Sequence, residues 1–325
     1  IKDGVNCGET PLDGLKISMN TGTGSGGCYF EKILKLLGAY VSGSRFLEPD
    51  GMFPNHIPNP ENAFAMDCAK QMVLENGSDF GVIFDTDVDR MGCVSSDGSE
   101  INRNRLVALA SVIALGGNPG GTVVTDSLTS DGLRDFIENE LGGKQLRFKR
   151  GYKNVINKAV ELNDAGINAP LAIETSGHAA LRENYFLDDG AYLATKIIVL
   201  LARLKKEGSS IDSLISALKE PAESVEIRIP VLKSDFKDYG RSIIDFISEN
   251  AEKESGWTLE KENYEGVRVN FSSGWFLLRL SVHDPILPLN IESDSEGVCK
   301  AVAHKIHDML SQFDELDLSN FEKVL

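Results

Sequence analysis

The sequence predicts an α/β protein: two repeated α/β domains with mixed or parallel sheets over residues 1–117 and 118–222, then a smaller α+β domain over 223–325. Three observations predict it. Short apolar runs bounded by glycine alternate with helix-period segments, and strands that alternate with helices build parallel sheets. One order of elements occurs twice: strand, small-residue turn, helix, a later strand and an acidic loop. Past Pro221 the texture changes to the polar–apolar alternation of a half-exposed sheet.

In the first copy, residues 15–20 read as a strand, 21–27 as a glycine-rich turn and 30–37 as a helix stopped by Gly38. Residues 48–61, rich in Pro, Asn and Gly, predict a long loop. A helix over 64–75 ends near Asn76-Gly77, a buried strand over 81–84 runs into an acidic loop, and a helix over 103–115 closes the copy at Gly116-Gly117. The second copy has a strand at 122–125, a turn at 127–130, helices at 133–141 and 155–162, a strand at 171–173, a polar loop at 174–178 and a helix at 192–204. The last domain has strands at 225–229, 266–271 and 275–281, with helices at 239–252 and 301–313.

The chain has 325 residues, 33 Lys and Arg against 49 Asp and Glu, and a net charge of -16. That balance argues against duplex nucleic acid as a partner, because displacing condensed counterions takes a Lys/Arg surface. It leaves room for anionic small molecules in a locally positive pocket. The apolar stretches 106–115 and 197–204 fall short of the ~20 residues of a bilayer span, so no membrane partner is expected. The first residues, Ile1-Lys2-Asp3-Gly4, show no leader segment, and a start on Ile suggests a processed product or a fragment. Cys7, Cys28, Cys68, Cys93 and Cys299 form no Cys-x-x-Cys and fit neither a zinc site nor a disulfide framework. They are expected as small buried apolar side chains in a reducing compartment: the cytoplasm, or the plastid stroma if a transit peptide was lost with the N-terminus.

Asp85, Asp87 and Asp89 stand at alternate positions directly after the strand at 81–84. A tight loop there turns such carboxylates toward one ion, and an oxygen-only set suits Mg²⁺, with Ca²⁺ second. An EF-hand is excluded, because its glycine position holds Arg90 and its final glutamate position holds Ser96. A solvated acidic turn is the plain alternative, but open α/β sheets bind ligands at the carboxyl ends of strands. Gly22-Thr23-Gly24-Ser25-Gly26-Gly27 satisfies Gly-x-Gly-x-x-Gly, with Glu48 about twenty residues on, and supports nucleotide binding as a runner-up. No other nucleotide signal accompanies it, and glycines also serve simply to turn a strand into a helix.

Glu174-Thr175-Ser176-Gly177-His178 occupies in the second copy the place of the Asp loop in the first, and offers the donors and acceptors that neighbouring sugar hydroxyls need. Ser176 is not in a nucleophile elbow, and His178 is too near it for a standard triad. Lys153, in Gly151-Tyr152-Lys153 at an expected strand end, supplies a cation; by spacing alone it is a solvated lysine. Arg279 and Ser281 after a strand make a plausible phosphate grip, with charge-assisted bonds of roughly 1.5–3 kcal/mol each.

These loops, preceded by Phe53-Pro54-Asn55-His56-Ile57-Pro58-Asn59-Pro60 and taken in this order, make nearly the whole chain resemble the α-D-phosphohexomutase superfamily of phosphoglucomutases, phosphomannomutases and phosphoglucosamine mutases. The resemblance implies four domains around a central cleft, the first bearing a phosphoserine in a Thr-x-Ser-His-like loop. No such loop occurs here, so this chain is expected to hold the second to fourth domains and to be inactive alone. By resemblance, Asp85, Asp87 and Asp89 are the Mg²⁺ ligands and Arg90 the active-site arginine beside them. Glu174 and Ser176 contact sugar hydroxyls, with His178 and Lys153 in the cleft, and Arg279 and Ser281 open the phosphate loop.

That loop departs from the family's Arg-x-Ser-Gly-Thr-Glu-Pro: Val282, His283 and Asp284 replace Gly, Thr and Glu, and Pro288 replaces a following arginine. The change removes about one hydrogen bond, ~1 kcal/mol, unless His283 donates in its place. The implied activity is that of an isomerase, an intramolecular phosphotransferase that interconverts hexose 1- and 6-phosphates of glucose, mannose or glucosamine. Mg²⁺ and a hexose 1,6-bisphosphate activator are the implied cofactors, and sugar phosphates and the phosphoserine domain of the same protein the implied partners. A non-catalytic sugar-phosphate-binding relative is the first alternative, and a nucleotide-dependent enzyme using residues 22–27 the second.

Overall fold

The computed structural model describes residues 1–5, 8–281 and 284–325. They divide into two compact units, the first comprising Ile1–Asp126, Leu133–Leu146 and Gly151–Leu218, the second Ser127–Gly132, Arg147–Arg150 and Lys219–Leu325.

The first repeat runs α1 (Lys2–Val5), β1 (Ile17–Asn20), α2 (Gly27–Tyr29) continued by a π-helical turn Phe30–Leu34, α3 (Ala63–Asn76), β2 (Phe80–Phe84), β3 (Met91–Ser95), β4 (Glu100–Ile101) and α4 (Asn104–Gly116). Its sheet has the order β1-β2-β3-β4. β1 and β2 are parallel, and β2–β3 and β3–β4 antiparallel. The second repeat runs β5 (Thr122–Thr125), α5 (Asp131–Asp135) continued by a π-helical turn Phe136–Glu140, β6 (Lys144–Arg147), α6 (Tyr152–Asp164), β7 (Leu171–Ile173), β8 (Ala179–Leu181) and α7 (Gly190–Glu207), with α8 (Ile211–Leu214) after it. Here the order is β6-β5-β7-β8, with β5 and β7 parallel and β7–β8 antiparallel. The repeat extends to detail: the first helix of each copy ends in a π-helical turn that starts on Phe, at Phe30 and Phe136.

Local chemistry accounts for these elements. Asn62 caps α3, its side chain accepting from the Ala65 amide at 3.0 Å, and Gly77 ends that helix at φ 55. Asp189 caps α7 by accepting from Tyr192 N at 2.8 Å. β2 is covered on both faces, which is why it reads as an unbroken apolar run. Phe80, Val82 and Phe84 enter the large core, while Ile83 packs with Ala65, Met66, Ala69, Met72 and Val73 of α3. The large core joins Leu106, Val107 and Leu109 of α4 and Leu193, Ile197 and Ile198 of α7 to strand residues of both sheets, among them Ile17, Val123 and Leu171.

The second unit is built on the antiparallel sheet β10-β11-β12-β13-β9. Its elements are β9 (Glu223–Pro230), α9 (Phe236–Ala251), β10 (Thr258–Leu259), β11 (Val267–Phe271), β12 (Gly274–Leu278), β13 (Ile286–Ser293) and α10 (Val298–Leu310). One face packs Ile227, Val269, Phe276 and Leu289 with Ile243 and Ile247 of α9 and Val302 and Ile306 of α10. On β11 and β12, Arg268 lies 3.6 Å from the Trp275 ring centre and donates to the Ser127 carbonyl at 2.9 Å. Arg147 pairs with Asp131 at 2.6 Å beside it. Burial pushes the neighbouring Glu292 carboxyl up to about 7.

The structure corrects three expectations. Cys93 and Cys299 are buried, but Cys28 is exposed and Cys68 intermediate, while Cys7 lies outside the described residues. Lys153 is in the first turn of α6, whose N-cap is Gly151, and not at a strand end. β3, β4, β6, β8, β10 and β13 are further strands, in segments to which the sequence pattern assigns no element.

Candidate functional site

In each repeat a parallel strand hands over to its antiparallel neighbour through one loop. Residues 85–90 join β2 to β3, and residues 174–178 join β7 to β8. The first loop is wound around Asp85, which is buried. Its Oδ1 accepts the amides of Val88 at 3.0 Å and Arg90 at 3.1 Å, and its Oδ2 accepts Arg90 Nε at 2.9 Å. Burial raises the Asp85 pKa and the nearby Asp89 adds to that, while Arg90 opposes it. Val88 is held at φ 71, a left-handed conformation that a β-branched residue adopts at a cost of about 1–3 kcal/mol. The Asp85 bond to its amide and the Gly190 amide on its carbonyl, at 3.0 Å, hold it there. A Cβ at Gly190 would lie 2.9 Å from that carbonyl oxygen, so the close approach needs glycine.

Oxygens of Asp85, Asp87 and Asp89 all fall within 4.8 Å of one another. Asp85 Oδ2 keeps a lone pair beyond its bond to Arg90, and Asp89 Oδ1 is buried with no hydrogen-bond partner among the described residues. An orphaned carboxylate oxygen within an all-oxygen donor set fits a hard divalent cation. Arg90 spends only Nε, on Asp85 with Asp89 Oδ1 at 3.8 Å, so its Nη groups have no partner among the described residues.

The second loop is neutralised differently. Glu174 Oε1 accepts the Gly151 amide at 2.6 Å, and Glu174 Oε2 the Ser176 hydroxyl at 3.1 Å. Thr175 donates its hydroxyl to Asp126 at 2.8 Å. The two loops lie against each other: Arg90 and His178 form an antiparallel bridge, and Met91 N reaches Gly177 O at 3.4 Å. A Cβ at Gly177 (φ +98) would come within 2.6 Å of Met91 O. His178 Nδ1 is 2.7 Å from Asp188 Oδ2 and 3.7 Å from Asp89 Oδ2. Burial pulls the imidazole pKa down, but the Asp188 bond and the charges of Asp188, Asp89 and Glu174 outweigh it, and the net shift is upward.

Asp85, Asp87, Asp89, Arg90, Lys153, Glu174, Ser176 and His178 all belong to the first unit. Sequence reasoning missed Tyr152 and Asp188. The Tyr152 ring stacks on His178, centroids 4.9 Å apart and planes 20° from parallel, and Lys153 Nζ is 5.8 Å from the same ring. Lys153 is exposed and has no ion pair among the described residues. The position of Tyr152 between Gly151 and Lys153 was a usable signal. Asp188, in Asp188-Asp189-Gly190, was not, since such a pair reads first as a helix cap.

The glycine-rich turn has spent the groups a phosphate would need. The amides of Gly22, Thr23, Gly24 and Ser25 donate to Asn20 Oδ1, Phe46 O, Thr21 O and Thr86 O at 3.0, 2.8, 2.7 and 2.9 Å. A Cβ at Gly24 would meet Thr86 O at 2.7 Å, so this turn braces the Asp loop.

In the second unit, Arg279 N donates to Pro288 O at 3.1 Å. The Ser281 hydroxyl accepts from Asp284 N at 3.2 Å. His283 lies outside the described residues, as does Val282.

Sequence models of phosphoglucomutase/phosphomannomutase α/β/α domain II and domain III match residues 1–98 and 102–221. The chain belongs to the α-D-phosphohexomutase superfamily. A phosphomannomutase/phosphoglucomutase of Pseudomonas putida is 33% identical over 286 residues, covering 87% of this chain and 58% of that protein. The crystal structure of a phosphoglucomutase/phosphomannomutase family protein from Burkholderia thailandensis superposes with a TM-score of 0.79 at 26% identity, over 96% of this chain and 63% of that one. The N-acetylphosphoglucosamine mutase of Aspergillus fumigatus, solved in complex with GlcNAc-6P and magnesium, shares the fold at 13% identity with a TM-score of 0.62, covering 95% and 68%. The chain thus spans about 60% of the length of the curated mutases it matches. No described helix is long and apolar enough to cross a membrane.

Proposed function

We propose that this chain carries the cation-binding and sugar-recognition machinery of a phosphohexomutase, which interconverts hexose 1- and 6-phosphates through a bisphosphate. In this reading residues 1–117 hold the cation, 118–222 read the hydroxyls and 223–325 grip the phosphate. One observation carries it: the acidic loop and the 174–178 loop are bridged at Arg90 and His178, with the Nη groups of Arg90 left unspent at that contact among the described residues and the exposed Lys153 following Tyr152, which stacks on His178. In a chain with an overall charge of -16, an uncommitted guanidinium within the acidic loop is a local exception suited to a phosphate.

Asp85, Asp87 and Asp89 would hold Mg²⁺, which when bound neutralises charge on a transferring phosphoryl group. Arg90 offers that group the N–H donors of both Nη groups, with its orientation fixed by the bond from Nε to Asp85. Glu174, Ser176 and His178 accept from and donate to ring hydroxyls, while Arg279 and Ser281 hold the phosphate that is not transferred. The phosphoryl donor of this cycle, a phosphoserine, would come from outside these 325 residues, and hexose 1,6-bisphosphate would act as activator. A non-catalytic sugar-phosphate-binding relative is the second reading, favoured by Val282, His283 and Asp284 in the phosphate loop.

Calorimetric titration with glucose 1,6-bisphosphate, with and without Mg²⁺, tests the proposal, and saturable binding strengthened by Mg²⁺ is expected. Asp87→Ala should weaken Mg²⁺ binding at least about tenfold, since it removes one of three charged ligands. Unchanged Mg²⁺ affinity in that variant would remove the cation assignment.

A further inference from the structure

We propose that Asp188 and Tyr152 are positioning residues that clamp the His178 imidazole in one orientation, so that its Nε2 presents a single direction to a sugar hydroxyl. The inference rests on the sugar-phosphate reading for its purpose, and on geometry for its content.

An imidazole on a loop can rotate about two side-chain bonds, and each rotation meets its own restraint here. Rotation of the ring within its plane is fixed by the bond from Nδ1 to Asp188 Oδ2, at 2.7 Å. Asp89 is not the holder, because its Oδ2 lies 3.7 Å away, beyond hydrogen-bond distance. Tilt of the plane is fixed by Tyr152, stacked at 4.9 Å and 20°.

Both restraints come from rigid parts. Asp188 bridges to Ala180 on β8, the next amide, Asp189 N, donates to Ala179 O at 3.1 Å, and the Asp189 side chain caps the 18-residue α7. Asp188 Oδ1 is buried without a hydrogen-bond partner among the described residues, so the bond to His178 is the one that satisfies this carboxylate. Tyr152 opens α6 directly after Gly151, whose amide is held by Glu174 of the same sugar loop. A carboxylate only accepts, so Nδ1 must carry the proton it shares, and in the neutral ring Nε2 is then an acceptor. Metal-ligating histidines are oriented by the same device.

Two measurements test the clamp. Long-range ¹H–¹⁵N correlation of the ring nitrogens, at a pH well above the raised pKa of the imidazole, should show His178 protonated at Nδ1, with His178→Asn identifying the signal. Asp188→Ala should move the proton to Nε2, and Asp188→Asn, which keeps an acceptor oxygen, should restore Nδ1. A wild-type His178 protonated at Nε2 would overturn the proposal. In titration with glucose 1,6-bisphosphate, Tyr152→Ala should weaken binding about tenfold and Tyr152→Phe by less than about twofold. Equal affinities for these two variants would also overturn it. Tyr152 is 38% exposed, so both variants are expected to fold. If the wild-type chain bound no bisphosphate, the sugar-phosphate reading would fail, and the nitrogen spectra would still decide the clamp.

Discussion

The loops at 85–90 and 174–178 occupy one position in two copies of a fold, and they differ in how each handles a carboxylate. Asp85 is buried and takes two amides and a guanidinium, all from its own loop. Glu174 takes an amide from the start of α6 and the hydroxyl of Ser176. The first loop is a self-contained ring with two more carboxylates at hand, and suits a cation. The second ties Glu174 to the start of α6 and to Ser176, and sets a hydroxyl and an imidazole beside that carboxylate, a mixture of donors and acceptors that suits sugar hydroxyls. A shared strand-to-strand loop sets where groups converge, and the side chains of each loop set what they converge on.

The comparison breaks first at Asp85. Asp85→Ala strands two amides and an arginine and should cost about 3 kcal/mol in urea denaturation, and a loss below about 1 kcal/mol would show that water replaces the ring. Glu292 in the second unit supplies the contrasting case, a carboxyl raised by burial from 4.5 to about 7. Between those values the folded state holds more protons than the unfolded one. The stabilisation is therefore complete below pH 4.5 and is lost as pH rises through about 7, on the order of 3 kcal/mol. Trp257 and Trp275 both lie in that unit, so their fluorescence reports its unfolding; Glu292→Gln should flatten the pH profile. The smallest effect belongs to Glu174→Gln, which keeps an acceptor for the Gly151 amide and should cost about 1 kcal/mol or less. A loss as large as that of Asp85→Ala would show that the second loop depends on charge as much as the first.

Much of this was legible in the sequence, and what was not has physical causes. β2 announced itself as an apolar run because both of its faces are covered, and α3 and α7 did so through their periodicity, with Asn76-Gly77 marking the end of α3. β8, Ala-Ala-Leu, carries no strand propensity and exists because it pairs with β7. β13 was hidden by Pro288, a residue that normally excludes an interior strand. The Pro288 carbonyl faces Arg279 N, so its missing N–H also points to the β12 side, where regular pairing has already ended at Leu278–Leu289. Asp85, Asp87, Asp89, Glu174, Ser176 and His178 were visible as motif residues. The stack of Tyr152 and the bond of Asp188 to His178 depend on contacts across the fold that spacing does not encode. Val88, at φ 71, was invisible because its residue type argues against that conformation.

α4 and α7 contribute to one continuous core with strands of both sheets. A chain that carried only one of the two copies would therefore be left with half of an interior, its helices wetted along the stripe where the other sheet belongs. The repeat that the element order shows is thus not divisible into two self-sufficient halves. A cavity or an added methyl group on the shared face of α4 or α7 is felt by both sheets, and through them by the strands that carry the two loops meeting at Arg90 and His178.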